Sequence, residues 1–206
     1  MRMWQVIAPV FAIVAIATPV AWGSSIYLSV QPSSQSVAEG AEVSIDLNIS
    51  GLGDPPSLGT YDLNVAFDPT ILSFSAFAFG DPVLGDQLDP TGGGNTISFT
   101  NLGTGTVELF ELSLDSDTTL NTLQAPSFTL GVLTFDAIGA GDSPLTLSIN
   151  ALGDADGNSL SASLQNGSVS VTAASTVPEP ATIYLLGGAL VSISILIRRL
   201  RCPSRS

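Results

Sequence analysis

The sequence predicts an all-β sandwich held between two targeting segments. Three observations predict it. Apolar and polar residues alternate with a period of two through the middle of the chain; clusters of Gly, Pro, Asn and Asp interrupt that alternation at short intervals; and every cationic side chain is confined to the two ends. No long stretch carries the 3.6-residue period of an amphipathic helix, so a sandwich is favoured over βαβ units.

The strands follow in chain order. Val43, Ile45, Leu47 and Ile49 alternate with Glu42, Ser44, Asp46 and Asn48, and Tyr61, Leu63, Val65 and Phe67 alternate with Asp62, Asn64, Ala66 and Asp68. Each is the pattern of a strand with one buried face. Further strands are expected over 26–30, 71–79, 96–100, 107–114, 128–137, 145–149, 160–164 and 169–171, about ten in all. Turn formers separate them, among them Gly51 to Pro56, Asp68-Pro69, Gly80-Asp81-Pro82, Gly92 to Asn95, Gly139 to Asp142 and Asn166-Gly167. One short helix is expected at 118–123, where Leu120 and Leu123 stand three apart and Asp115 and Asp117 suit its N-terminus. Adjacent Val132 and Leu133 break the alternation of their strand, which implies a bulge or burial on both faces. Phe74, Phe77, Phe79, Phe99, Phe110, Phe128 and Phe135 are expected in the core with Tyr61.

Charge excludes whole classes of function. Arg2, Arg198, Arg199, Arg201 and Arg205 are the only cationic side chains, and of the 18 Asp and Glu only Glu179 lies beyond Thr176. The middle therefore has a formal charge of −17 and no Lys, Arg or His. Such a surface repels nucleic acid, whose binding depends on Lys and Arg displacing counterions. It also makes salt or divalent metal matter, because a self-repelling shell needs screening. Cys202 is the sole cysteine, so no intrachain disulfide forms.

The ends read as addresses. Arg2 precedes an apolar run from Val6 to Val20, and small residues follow around Ala21-Trp22-Gly23, the order of a secretory signal cleaved after Gly23. At the other end come Val177-Pro178-Glu179-Pro180, an apolar run from Ala181 to Ile197, and then Arg198, Arg199 and Arg201. That run is near the lower limit for a spanning helix, and the arginines place its end on the cytoplasmic side. Pro178 and Pro180 keep the peptide before it extended. The expected organisation is a signal peptide at 1–23, a β-sandwich at 24–173, a linker with Pro-Glu-Pro at 174–180, a transmembrane helix at 181–197 and a basic cytoplasmic tail at 198–206.

The segment from Val177 to Arg201 resembles the PEP-CTERM sorting signal of Gram-negative bacteria that make exopolysaccharide. The resemblance implies processing near Pro178-Glu179-Pro180 by an exosortase, a membrane-embedded cysteine protease. The chain would be an inner-membrane-anchored precursor and then a cell-surface or extracellular-matrix protein. A second resemblance covers about Ile26 to Thr172. Glu39-Gly40-Ala41-Glu42-Val43-Ser44-Ile45-Asp46-Leu47 is similar to the opening strand of cohesin domains, and Tyr61 through Leu72 is similar to their strand, Asp-Pro turn and next strand. Leu133 to Ala137, Gly141 to Leu145, Asp156-Gly157-Asn158 and Asn166 to Val171 continue the order. What this resemblance implies is a jelly-roll sandwich related to some carbohydrate-binding modules; no residue is assigned to a dockerin interface.

Chemistry is sparse. Without His, Lys, Arg or Cys in the middle, Ser-His-Asp and Cys-His catalysis, Schiff bases, phosphate loops and the usual zinc sites are excluded. Carboxylate chemistry remains, with Glu108 and Glu111 candidates by residue type for a glycoside hydrolase. Three apart on a strand, however, they point to opposite faces. Asp154, Asp156 and Asn158 stand at alternate positions of a glycine-marked loop, as calcium ligands do. The loop is not an EF-hand, since the glycine is fourth and Gln165 stands at the twelfth position. A plain turn, in which Asp, Gly and Asn serve the backbone, is the other reading. The expectation for the whole is a non-enzymatic surface or matrix protein whose domain binds another protein or a polysaccharide in adhesion or assembly. A carbohydrate-binding module is the alternative and a glycoside hydrolase a distant one.

Overall fold

The alternating segments become strands in the structure, a computed structural model that describes residues 25–174 and Ile193. In chain order the elements are β1 (Ile26–Gln31), β2 (Ser34–Ala38), β3 (Glu42–Ser50), β4 (Leu58–Ala66), β5 (Leu72–Phe79), β6 (Thr96–Gly103), β7 (Thr106–Ser113), α1 (Asp117–Leu123), β8 (Ser127–Ala137), β9 (Gly141–Asp154), β10 (Ala162–Gln165) and β11 (Gly167–Thr172). They form two sheets. The five-stranded sheet has the order β10-β1-β3-β8-β5 and the six-stranded sheet the order β2-β11-β9-β4-β7-β6. Of consecutive strands only β6 and β7 share a sheet, so every other connection crosses between sheets. The crossings β1 to β2 and β10 to β11 are matched by parallel pairs, β1 with β10 and β2 with β11.

The core lies between the sheets and is made by the faces the alternation marks. Val43, Ile45, Leu47 and Ile49 of β3 pack with Phe128, Leu130, Leu133 and Phe135 of β8, against Tyr61, Leu63 and Val65 of β4 and Val107 and Leu109 of β7. Each such side chain, fully buried, contributes about 1.5–3 kcal/mol over leaving it in water. Phe67 and Phe135 meet edge to face, with ring centroids 5.1 Å apart.

Four expectations are corrected. Eleven strands form among the described residues, because β2 adds an edge that its sequence hides: Ser34–Ala38 has one apolar branched residue, Val37, and no fully buried position. The break in β8 falls at Leu130 and Gly131 instead of Val132 and Leu133. There Leu47 pairs with Gly131 while Asn48 pairs with Thr129, leaving Leu130 as the extra residue. Gly131 is required at that point, since a Cβ would enter the Phe77 ring and the Ala78 carbonyl. Phe99 and Phe110 lie outside the core, for the reason given below. The helix forms from Asp117, one residue earlier than expected; Ser116 caps it by accepting a hydrogen bond from Thr119 N at 3.1 Å.

The segment from Gly80 to Asn95 joins β5 to β6, an edge strand of one sheet to an edge strand of the other. Its aspartates organise it. Asp81 Oδ1 accepts from Val83 N and Leu84 N at 2.8 and 2.9 Å, Asp86 Oδ1 from Leu88 N at 2.9 Å, and Asp89 from Gly93 N and Gly94 N at 3.0 and 2.6 Å. Leu88 is thereby driven into the core. Gln124 Nε2 donates to Gln87 O at 2.9 Å, and Gln87 Oε1 accepts from Ala125 N at 2.9 Å, so the segment is tied to the end of α1.

The signal segment 1–23, the Pro178-Glu179-Pro180 motif, Arg198, Arg199 and Arg201 all lie outside the described residues, as does the apolar run 181–197 apart from Ile193. Among the described residues no helix is long and apolar enough to cross a membrane.

Candidate functional site

The six-stranded sheet has a face that the core does not cover. Strand β7 turns Val107, Leu109 and Glu111 inward and leaves Glu108, Phe110 and Leu112 half-buried on the other side. Register then builds rows across three strands: Thr60, Leu112 and Ile97; Asp62, Phe110 and Phe99; Asn64, Glu108 and Asn101. Phe99 stacks on Phe110 with centroids 4.8 Å apart and planes at 18°. Phe99 is nevertheless 45 % exposed and Ile97 51 %. The result is an apolar step on the outside of a strongly acidic domain. A polar ladder borders it: Asn150 Nδ2 donates to Asp62 Oδ1 at 2.9 Å, Asn64 Nδ2 to Asn150 Oδ1 at 3.1 Å, and Asn101 Nδ2 to Glu108 Oε2 at 3.1 Å. An apolar and aromatic centre with a rim of amides and acids is the make-up of a protein-docking surface.

The two glutamates named from sequence go to opposite faces of β7. Glu108 is half-buried on the outer rim, whereas Glu111 is 1 % exposed inside the sandwich. Tyr61 OH donates to Glu111 Oε2 at 2.9 Å, and Oε1 is buried without a hydrogen-bond partner. Burial, and next the charge of Asp86, pushes the Glu111 carboxyl up to about 8; burial and the same carboxyl raise the Tyr61 phenol well above its ordinary range. A polysaccharide cannot reach Glu111, and Glu108 faces away from it, so these two do not form a hydrolytic pair.

The Asp154 loop turns on its own donors. Asp154 Oδ1 accepts from Asp156 N and Asn158 N at 3.0 and 2.7 Å, and Oδ2 accepts from Asn158 Nδ2 at 3.0 Å. Gly157 takes a φ of +83°, which a side chain would oppose. Burial works against the charged form of Asp154, but the donors of Asn158, Asp156 and Gly157 prevail and hold the carboxyl below its usual range. Asp154 and Asn158 are thus brought together as a turn, each engaged with the other. Among the described residues no group of three or more His, Cys, Asp or Glu is gathered as a metal would need.

Sequence reasoning missed the outer apolar step because both faces of β7 carry apolar residues. Alternation alone assigns no side to Val107-Glu108-Leu109-Phe110-Glu111-Leu112. The deciding signal is the register with β4, where Tyr61 stands opposite Glu111.

No protein-family model matches the chain, and no curated protein does. Solved structures do. A cohesin of Clostridium thermocellum, Coh-OlpA, solved in a type I cohesin–dockerin complex, is similar with a TM-score of 0.58 at 13% identity, over 72% of this chain and 100% of that one. The seventh ScaB type I cohesin of Pseudobacteroides cellulosolvens gives 0.57 at 15% identity, over 75% and 97%. A non-cellulosomal cohesin of the archaeon Archaeoglobus fulgidus gives 0.53 at 15%, over 72% and 92%. Residues 25–174 therefore have the fold of a cohesin domain.

Proposed function

We propose that this chain is an exported, non-catalytic protein of adhesion or assembly, whose cohesin-like sandwich binds a protein partner on the outer face of β4, β7 and β6. The observation that carries this reading is the step of exposed Ile97 and Phe99 with half-buried Phe110 stacked beneath, on a fold whose solved relatives include cohesins in complex with dockerins. Burial of an aromatic anchor within a polar rim is where binding energy concentrates in protein interfaces. The acid-only composition adds to it: repulsion limits non-specific contact, so a partner must meet the apolar step and present donors or cations to Asp62 and Glu108.

Delivery is the other half of the proposal. The Pro178-Glu179-Pro180 motif, the apolar run after it and Arg198, Arg199 and Arg201 support sorting through an exosortase-type protease, from the inner membrane to the cell surface or matrix.

A photo-crosslinking side chain at position 99, in cells that make the full chain, tests the face. A discrete protein adduct is expected from position 99 and none from Ser44 on the outer side of the other sheet. No adduct at 99, together with selective capture on a glycan array, would favour a carbohydrate-binding module. Replacing Pro178-Glu179-Pro180 by alanines tests the tail: an unprocessed, longer and inner-membrane-retained product is expected, and identical size and location of both forms would refute sorting.

A further inference from the structure

Glu111 is the most deeply buried acid among the described residues, and half of its carboxyl is unsatisfied. A buried polar atom left without a partner calls for a physical reason. The surroundings supply one. Tyr61 OH reaches it from β4, and the Gly80–Asn95 segment lies over the same face of β7, where Ser113, two residues on, donates its Oγ to Leu88 O; the charges of Asp86 and Asp89 in that segment act on Glu111. No Lys, Arg or His lies in residues 25–174, so no side-chain cation of the domain can balance three carboxylates there.

Asp86 and Asp89 are themselves committed. Asp86 accepts from Leu88 N of its own segment, and Asp89, which accepts from Gly93 N and Gly94 N, is held below the usual carboxylate range: burial opposes this, and Gly94, Gly93, Thr91 and Asn95 overcome it. The proton therefore belongs on Glu111, where Oε1 has no other donor to meet.

We propose that Glu111 is a proton-operated latch on the Gly80–Asn95 segment. With the proton in place, a neutral carboxyl accepts Tyr61 OH and tolerates the negative Asp86 and Asp89 above it. When the proton leaves to solvent, three carboxylates confront one another where water screens them poorly, and the segment that carries two of them is the part free to retreat. Retreat would draw Leu88 out of the core and release the contacts of Gln87 with Gln124 and Ala125 and of Leu88 O with Ser113 Oγ. The strand that follows directly is β6, with Ile97 and Phe99. The raised pKa of about 8 puts the transition on the alkaline side of neutrality.

Hydrogen exchange of the full chain in mild detergent, read by mass spectrometry and corrected for intrinsic pH dependence, tests the latch. Protection of 80–95 is expected to fall about tenfold or more between pH 6.5 and 9, the equivalent of at least one pKa unit, with the segment exchanging faster than β3 at every pH because it opens alone. In Glu111→Gln, which keeps the shape and cannot ionise, protection of 80–95 is expected to stay within about twofold over the same range. A wild-type segment that exchanges no faster than β3, or a Gln variant that still responds, overturns the proposal. Asp86→Asn guards against misfolding of the Gln variant: removing the opposing charge should move the midpoint to lower pH, and an unmoved midpoint also refutes the latch.

Discussion

Asp154 and Glu111 belong to the same acidic domain and meet opposite fates. Asp154 sits at a loop where four backbone and side-chain donors within four residues turn toward it, so its charge is stabilised by the local chain. Glu111 sits mid-strand, where the backbone N–H groups are already spent on β4 and β6, and only the Tyr61 hydroxyl is left to meet it. In a protein without cations, then, it is the supply of nearby N–H groups that decides which carboxylates keep their charge. Turns supply them and strand interiors do not.

That contrast gives stability a two-sided pH dependence, the largest effect expected. Glu111 has a folded pKa raised from 4.5 to about 8, so its contribution is whole below pH 4.5 and is lost as pH rises through the folded value. Denaturant unfolding should show a loss of about 2–4 kcal/mol between pH 5 and pH 9, and Glu111→Gln should flatten that limb. Asp81, Asp89 and Asp154 have lowered pKa values, so their contribution is present above 3.8 and disappears as pH falls through their folded values. Maximum stability is expected near about pH 4–5, between the two limbs. A profile that is flat from pH 5 to 9 would break the comparison at its Glu111 end.

Next in size is Asp89→Ala, which strands the N–H groups of Gly93 and Gly94 and should cost about 1–3 kcal/mol in the same assay. Asp154→Ala, in a loop more open to water, should cost less, about 0.5–1.5 kcal/mol. The smallest effect concerns calcium at Asp154, Asp156 and Asn158. Since both oxygens of Asp154 already have donors, calcium against chelator is expected to change the melting temperature by less than about 2 °C, the equivalent of about 0.5–1 kcal/mol. A larger rise that Asp156→Ala abolishes would show that the loop reorganises around a cation.

The sandwich was legible wherever one face of a strand is apolar and the other is not. β3 and β4 read cleanly because Glu42, Ser44 and Asp46, and Asp62 and Asn64, cannot compete for the core. β2 was illegible because an exposed edge needs no buried residue; its place comes from backbone pairing with β11. Residue type points Phe99 and Phe110 inward, whereas the register with β4 fills the inner positions of β7 with Val107, Leu109 and Glu111. The outer apolar step, and the burial of Glu111 behind it, are two results of that one register. Neither is visible in a strand read alone. The Asp154 turn was visible, because its donors and its acceptor lie within five consecutive residues.

Strand β11 lies between β2 and β9, and among the described residues β2 has no other neighbour in its sheet. Besides their backbone pairing, Thr172 Oγ1 donates to Val37 O at 3.1 Å, joining residues 135 positions apart. A chain that emerges N-terminus first therefore carries its second strand unclaimed until almost the whole domain has followed. Assembly ends with the youngest residues sliding in beside some of the oldest, and stopping synthesis before Gly167 would leave both β2 and the flank of β9 bare.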